Sequence, residues 1–129
     1  MNFTFLSVTH VIEIQREQID LYGGEHGVRD LALLESAIAT PRATFGGELL
    51  HPTLSAAAAA YLFHIVQNHP FIDGNKRAGL ATADVFLRIN GIALEMDDDL
   101  LLDLVLKVAT GKALKPEIEA AFREHSLPN

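Results

Sequence analysis

The spacing of apolar residues along the chain predicts a succession of amphipathic helices. From Thr9 to Tyr22, apolar side chains recur at helical intervals, and charged side chains occupy the positions between them. Ser7 or Thr9 can cap the start of this helix, and Gly23-Gly24 can end it, because glycine adopts the left-handed conformation without strain. The same reasoning predicts five later helices: Leu31 to Thr40, Thr53 to Gln67, Asn75 to Asn90, Leu100 to Val108, and Pro116 to about His125.

Two of these helices are predicted to form the centre of the fold. The segment Thr53 to Gln67 is apolar on nearly every side, and a helix without a polar face is usually buried among other helices. The segment Asn75 to Asn90 has a narrower apolar face, so the two helices predict a buried hairpin that presents its loop at one end. The predicted buried stripe of the second helix consists of Ala78, Ala81, Val85 and Ile89, and Leu80, Ala83 and Leu87 widen it.

Together the helices predict an all-α bundle in a single domain that spans residues 1–129, a length sufficient for a sizeable core. The connection from Pro41 to Pro52 is expected to pack against the helices. The sequence leaves open whether this connection contains a short hairpin. Ile92 to Met96 is expected to be extended. Asp97 to Asp99 are expected to cap the following helix, which Gly111 ends.

Composition and charge exclude several classes of function. The sequence has 10 lysine and arginine residues against 17 aspartate and glutamate residues, a formal charge of −7. So acidic a chain is a poor general binder of nucleic acid. It has no cysteine, which excludes disulfides and cysteine-based zinc sites and suits a reducing cytoplasm. The N-terminus lacks a signal-peptide pattern, and the apolar run Ala56 to Phe63 is too short to cross a bilayer, so we expect no membrane association.

Polar chemistry is concentrated between the two central helices, in the stretch His69-Pro70-Phe71-Ile72-Asp73-Gly74-Asn75-Lys76-Arg77. Its last four residues lie at a predicted helix start, where backbone N–H groups lack internal partners and the helix dipole is positive. Gly74 would let a phosphate approach the backbone, and the Asn75 amide could donate to it. Lys76 and Arg77 would add positive charge. The sequence therefore predicts a phosphate site.

Asp73 and His69 complete the predicted chemistry. A carboxylate beside a bound phosphate repels it unless a metal ion lies between them, so Asp73 is interpreted as a ligand of Mg²⁺. His69 is interpreted as a base for a hydroxyl, because an unperturbed imidazole titrates near neutral pH. Phe71 is interpreted as a buried anchor of the loop. The combination predicts transfer of a phosphate-containing group to a hydroxyl.

Simpler interpretations stay open for some of these residues. Asp73 could cap the fourth helix, and Lys76 and Arg77 could be ordinary solvated charges. His64, on an apolar helix, is interpreted as a hydrogen-bonded core histidine. The remaining histidines have no metal-ligand spacing and are interpreted as surface or structural residues: His10, His26, His51 and His125.

The loop resembles the motif H-x-F-x-(D/E)-(G/A)-N-K-R of the death-on-curing (Doc) toxins, a branch of the Fic superfamily. Three other segments are similar to that branch, so the resemblance covers roughly Phe5 to Gly111. It implies a compact Fic/Doc-type helical bundle with the active loop at the N-terminus of a central helix. The three segments are Tyr22-Gly23-Gly24, Asp30 to Pro41, and Phe86 to Gly91.

The resemblance also separates two activities. Most Fic proteins transfer AMP from ATP to a protein hydroxyl and carry G-N-G-R-x-x-R, whereas here Lys76 replaces the second glycine and Leu80 stands in place of the second arginine. Both departures are features of the Doc branch, whose toxin type passes the γ-phosphate of ATP to a threonine of elongation factor Tu. The resemblance therefore implies a kinase with His69 as its base, Asp73 as its Mg²⁺ ligand, and Gly74, Asn75, Lys76 and Arg77 as its phosphate ligands.

A protein partner is implied as well. The branch is usually encoded beside an antitoxin whose C-terminal segment crosses the active-site groove. Thr9 and Glu13 approach the inhibitory motif (S/T)-x-x-x-E-(G/N) of some Fic proteins, but Ile14 breaks it. We therefore expect an antitoxin in trans rather than self-inhibition. Nucleotidyl transfer and a catalytically silent binding protein remain the alternative functions.

Overall fold

A computed structural model describes residues 2–129, and most of them lie in six α-helices. The helices are α1 Val8–Tyr22, α2 Leu31–Ala39, α3 Leu54–Asn68, α4 Asn75–Ile89, α5 Asp98–Ala109 and α6 Lys115–Glu124. These bounds confirm the predicted helices to within two residues at each end. A single 3₁₀ turn, Thr40–Arg42, follows α2 and contains the proline that was predicted to end it.

Side-chain caps explain where the early helices begin. The Ser7 side chain caps α1 and the Asp30 side chain caps α2, each accepting a hydrogen bond from the backbone N–H three residues ahead, at 3.2 and 3.0 Å. The expectation for α5 was wrong in its detail. Asp97 occupies the cap position but makes no side-chain cap hydrogen bond. Asp98 and Asp99 lie in the first turn, where their charges suit the helix dipole.

The central helix is α3, which packs against α4, α6 and α2. Its run of alanines from Ala56 to Ala60 is buried, so neighbouring helices can approach its backbone closely. On α4, Gly79 faces α3 so tightly that an added Cβ would lie 3.0 Å from Val66 Cγ2 and 3.3 Å from the Leu62 carbonyl oxygen. The predicted hairpin of α3 and α4 is therefore confirmed as a closely packed pair.

The buried face of α4 differs from the predicted stripe. Ala78 is buried as expected, but Ala81 and Val85 are only half-buried and Ile89 is 48% exposed. The prediction was right for Ala78, Ala83 and Leu87. It missed Gly79, because a residue without a side chain gives no apolar signal although it packs closely against α3. The buried residues of α4 are Asn75, Ala78, Gly79, Thr82, Ala83, Phe86 and Leu87.

Two small antiparallel sheets supplement the helices. Strands β1 (Thr44–Phe45) and β2 (Glu48–Leu49) form the short hairpin that the sequence left open. Strands β3 (Ile92–Leu94) and β4 (Ser126–Pro128) join the segment after α4 to the end of the chain, a pairing that the sequence did not predict. No helix within the described residues has the length and apolar character needed to span a membrane.

Candidate active site

The loop between α3 and α4 is bounded by two residues in the left-handed backbone conformation. His69 ends α3 with φ of 50°, and Gly74 precedes α4 with φ of 72°. Glycine adopts this conformation freely, but a histidine does so at some cost. Among residues 2–129, His69 is the one non-glycine residue with a positive φ. The surrounding contacts must therefore hold the backbone at His69 in place.

Phe71 and Asn75 fix the inside of the loop. Phe71 is fully buried, which confirms its predicted role as an anchor. The Asn75 side chain is also buried; its Oδ1 accepts from the Phe71 N–H at 2.9 Å and its Nδ2 donates to the Phe71 carbonyl at 3.0 Å. The Asn75 amide thus shapes the loop, and its contact with a phosphate stays a prediction.

The segment between α1 and α2 clamps the loop from the other side. The Ile72 N–H donates to the Gly27 carbonyl at 3.0 Å. The N–H groups of Arg29 and Asp30 both donate to the Pro70 carbonyl, at 2.7 and 3.0 Å. These bonds give the loop the character of a paired strand although it has no regular structure of its own.

Backbone donors orient the Asp73 carboxylate. Oδ1 accepts from the Gly74 N–H at 2.8 Å, and Oδ2 accepts from the Glu25 N–H at 3.2 Å. The buried Gln15 side chain donates to the Asp73 backbone carbonyl at 3.1 Å. Gly24 leaves room for the carboxylate, because a Cβ at that position would lie 2.5 Å from Oδ2 and would displace it. Asp73 does not cap α4, whose start has no side-chain cap.

The start of α4 presents free backbone donors. The first hydrogen bond inside the helix runs from the Ala78 N–H to the Gly74 carbonyl at 2.8 Å. Within the described part of the chain, the N–H groups of residues 75–77 have no protein acceptor. Lys76 is exposed beside them, and the Arg77 guanidinium lies 3.3 Å from the Gly23 carbonyl and 5.8 Å from the centre of the Tyr22 ring. This is the geometry of an anion site at a helix N-terminus.

One cavity of about 180 Å³ brings all of the predicted site residues together. A larger groove of about 540 Å³ lies beside it between α1, α4, β3 and α5, and Arg77 borders both spaces. The smaller cavity is lined by His69, Ile72, Asp73, Gly74, Asn75, Lys76 and Arg77.

Sequence reasoning missed the residues that support this cavity from a distance. The sequence analysis assigned no role to Gln15, on the first helix, or to Arg29, next to the Asp30 cap. Neither has a local pattern that reveals a contact with the loop. Tyr22, in contrast, belonged to a segment that carried the family resemblance.

Another histidine of α3, His64, lies in a separate cluster. Its Nε2 is 3.0 Å from the Lys115 Nζ, which also lies 3.2 Å from the His51 Nε2. Burial, and then the nearby charge of Lys115, lower the pKa of His64 to about 4. The interpretation of His64 as a hydrogen-bonded residue is confirmed, although its side chain is half-buried rather than fully in the core.

Among residues 2–129, Asp73 is the one carboxylate that lines the cavity. No group of three or more metal-binding side chains occurs in the described residues. A single carboxylate nevertheless fits Mg²⁺, which commonly uses one or two carboxylates together with oxygens of a bound phosphate. The half-exposed Asp73 carboxylate, held by two backbone donors at the edge of the cavity, meets that requirement.

Comparisons with known proteins agree with this geometry. The model of the Fic/DOC family matches residues 5–87. Toxin Doc of Mycolicibacterium smegmatis is 46% identical over 91 residues, which are 69% of this chain and 70% of that protein. Protein kinase doc of Escherichia phage P1 is 34% identical over 107 residues, 83% of each chain. With its loop motif and helical fold, this chain belongs to the Fic/DOC family, in the branch of the Doc toxins.

Proposed function

We propose that the chain is the toxin of a toxin–antitoxin pair and acts in the cytoplasm as a protein kinase. It would transfer the γ-phosphate of ATP, with Mg²⁺, to a serine or threonine hydroxyl of a protein. The favoured target is elongation factor Tu, whose modification would block translation. The observation that carries the proposal is one cavity that is lined by His69, Asp73 and the uncapped start of α4.

The phosphates of ATP would bind at the start of α4. The free N–H groups of residues 75–77 point to an acceptor outside the helix, and Lys76 and Arg77 add charge to the same place. Glycine suits the position before α4, because Gly74 has φ of 72° and a Cβ there would lie 3.0 Å from Ile19 Cδ1. Asp73 would hold Mg²⁺ together with phosphate oxygens, and the ion would neutralise charge on the transferred group.

His69 would act as the base. Its imidazole would take the proton of the target hydroxyl as the hydroxyl oxygen bonds to the γ-phosphorus. The bond from that phosphorus to the oxygen bridging the β- and γ-phosphates would break, and ADP would leave. His69 is exposed at the edge of the cavity, so a protein hydroxyl can reach it. Positioning and charge neutralisation would supply most of the rate enhancement.

Transfer of phosphate is favoured over transfer of AMP by two residues. Lys76 occupies the position of a glycine in the AMP-transferring motif, and Leu80 occupies that of an arginine. In the structure Leu80 borders the larger groove, so that position offers no cation to a nucleotide. The relative from phage P1 is itself named a protein kinase.

The larger groove would receive the antitoxin. Its lining combines the apolar side chains of Leu94, Met96 and Leu101 with the Asp84–Arg88 ion pair, which suits an amphipathic segment of a partner. The groove continues to Arg77, so an occupant would also cover the nucleotide site.

Intact-mass spectrometry of elongation factor Tu after incubation with the protein, ATP and Mg²⁺ tests this function. A gain of one phosphate is expected. A gain of AMP would replace the proposal by nucleotidyl transfer. No gain on this target or on any protein of a cell lysate would favour the silent binding protein.

A further inference from the structure

We propose that Arg29 is a positioning residue for His69. Its guanidinium would hold the end of α3 in the geometry that aims the imidazole at the target hydroxyl. Arg29 Nε donates to the His69 carbonyl at 2.7 Å, and Nη2 donates to the Asn68 carbonyl at 3.1 Å. The inference rests on the proposed function of His69 as the base.

The two acceptors are the carbonyls at the C-terminal end of α3. Carbonyls at a helix end lack partners inside the helix and carry the negative end of its dipole, so a cation that donates to them is well placed. A planar guanidinium can donate to two neighbouring acceptors at once and fixes their relative orientation. Arg29 therefore acts on the backbone to which the His69 ring is attached.

That backbone needs an external restraint. His69 has φ of 50°, which is unfavourable for a residue with a Cβ. A change of φ at His69 would swing the imidazole relative to the cavity. The guanidinium is bonded to the carbonyls on both sides of this torsion and therefore opposes the change.

The side chain and the backbone of Arg29 hold different parts of the loop. The backbone N–H of Arg29 donates to the Pro70 carbonyl at 2.7 Å, and this bond does not depend on the side chain. Phe71 and Asn75 hold the rest of the loop by their own contacts. Removal of the guanidinium should therefore release His69 and leave the phosphate-binding start of α4 intact.

Other roles for the guanidinium are not supported by its surroundings. None of the ion pairs formed by residues 2–129 includes Arg29, and it does not line the 180 Å³ cavity. Its side chain is exposed, so it contributes little to the core. The carbonyls of Asn68 and His69 are its hydrogen-bond partners.

Steady-state transfer kinetics of Arg29→Ala test the inference, with Arg123→Ala as the matched control. Arg123 is also an exposed arginine, but it contacts Glu119 of α6 at 3.9 Å and lies outside the site. Arg29→Ala should lower kcat by between about tenfold and a hundredfold, with KM for ATP and nucleotide affinity within about twofold of wild type. Arg29→Lys and added methylguanidinium should each restore part of kcat. Arg123→Ala should match wild type.

Three results would overturn the inference: a wild-type kcat in Arg29→Ala, a loss of nucleotide affinity as large as the loss of kcat, or a loss of kcat that neither lysine nor methylguanidinium reduces. Transfer should be followed with ATP labelled in both the α- and γ-phosphates, since the hydroxyl must lose its proton in either reaction.

A second measurement separates this inference from the proposed function. NMR relaxation of the His69 ring carbons reports ring order without any need for activity. Arg29→Ala should increase the motion of the ring, while Arg123→Ala should not. If wild-type protein transfers no label, the proposed function fails, and the ring order alone then supports or overturns the role of Arg29.

Discussion

Two histidines of the same helix end in different regions of the molecule. His64 is half-buried between α3 and α6, where Lys115 lies 3.0 Å from its ring, and its pKa falls to about 4. His69, five residues later, ends the helix in an exposed loop that also holds Asp73 and the open start of α4. A lowered pKa makes the His64 ring a weaker base, and His64 does not line the cavity that holds Asp73. For these two histidines, the position relative to the end of α3, and not the residue type, determines which ring can contact a substrate.

The two regions also differ in how they are held. The cluster of His51, His64 and Lys115 is a set of side chains that meet each other directly. The loop at His69 is instead held mainly through its backbone. The backbone N–H groups of Arg29 and Asp30 donate to the Pro70 carbonyl, and the Phe71 N–H donates to the Asn75 side chain. In this arrangement the side chains of His69 and Lys76 are exposed and can meet a substrate.

The largest expected effect is the loss of transfer in His69→Ala. Because a general base contributes roughly 10²–10⁴-fold, we expect the rate of transfer to fall by that factor while the melting temperature changes little. His64→Ala is the matched control, since it removes the same ring from the same helix. It should keep the rate within several-fold of wild type. An equal loss of transfer rate in His69→Ala and His64→Ala would contradict the assignment of the base to His69.

Asp73→Asn should have the next largest effect. Asparagine keeps the shape of the side chain but can accept only one of the hydrogen bonds from Gly74 and Glu25, because its Nδ2 is a donor, and it lacks the charge that Mg²⁺ requires. We expect transfer to fall by about 10- to 100-fold and to need more Mg²⁺, as measured in a magnesium titration. An unchanged titration curve would remove Asp73 from the metal site. Asp103→Asn, at an exposed ion pair with Lys107, is the control.

The pH dependence of the free energy of unfolding should reveal the lowered pKa of His64 in the cluster of His51, His64 and Lys115. The pKa of His64 is lowered in the folded protein, so the unfolded chain binds a proton first as the pH falls. Stability contributed by the neutral ring is therefore complete above about pH 6.5 and is lost as the pH falls towards about 4. Because the ring is only half-buried, we expect a loss of roughly 1–2 kcal/mol.

Urea unfolding at pH 7 and at pH 4.5 measures this loss. In His64→Leu the difference between the two pH values should become smaller, since its main titrating group is gone. If the free energy of unfolding of His64→Leu differs between the two pH values as much as that of wild type, other groups cause the effect. Burial, and then the charge of Lys115, also lower the pKa of His51. His51 would therefore be the next residue to replace.

The smallest expected effect is that of Lys115→Met on His64. Burial is the main cause of the low pKa of His64, and the charge of Lys115 is the second. Removal of the Lys115 ammonium should raise the pKa of His64, because one of the two named causes is gone. The pKa should stay below its ordinary value, because the ring is still buried. An NMR titration of the ring measures the change. A return to the ordinary value would show that charge, and not burial, dominates this region.

Much of the fold could be predicted because its signals are local. Ser7, Asp30 and the glycines after the helices fix the ends of elements within a few residues of themselves. The grouping of the candidate site residues in one cavity could be predicted for the same reason, since they lie in one stretch from His69 to Arg77, whereas their roles stay predictions. A loop that joins two helices keeps such neighbours together in space.

The contacts that support the site could not be predicted because they join distant parts of the chain. Arg29 meets His69 across 40 positions, and Gln15 meets Asp73 across 58. The pairing of β3 with β4 and the contact of His64 with Lys115 are of the same kind. Apolar periodicity also assigned Ala81, Val85 and Ile89 to the buried face of α4 and missed Gly79, which is buried by close packing against α3.

The most direct test of the central claim is label transfer from ATP to elongation factor Tu. ATP labelled in the γ-phosphate and ATP labelled in the α-phosphate are incubated in parallel with wild-type protein and with His69→Ala. A kinase with His69 as its base should transfer label from the γ-position alone, and His69→Ala should abolish this transfer. Label from the α-position, or γ-label that survives in His69→Ala, would contradict a kinase with His69 as its base.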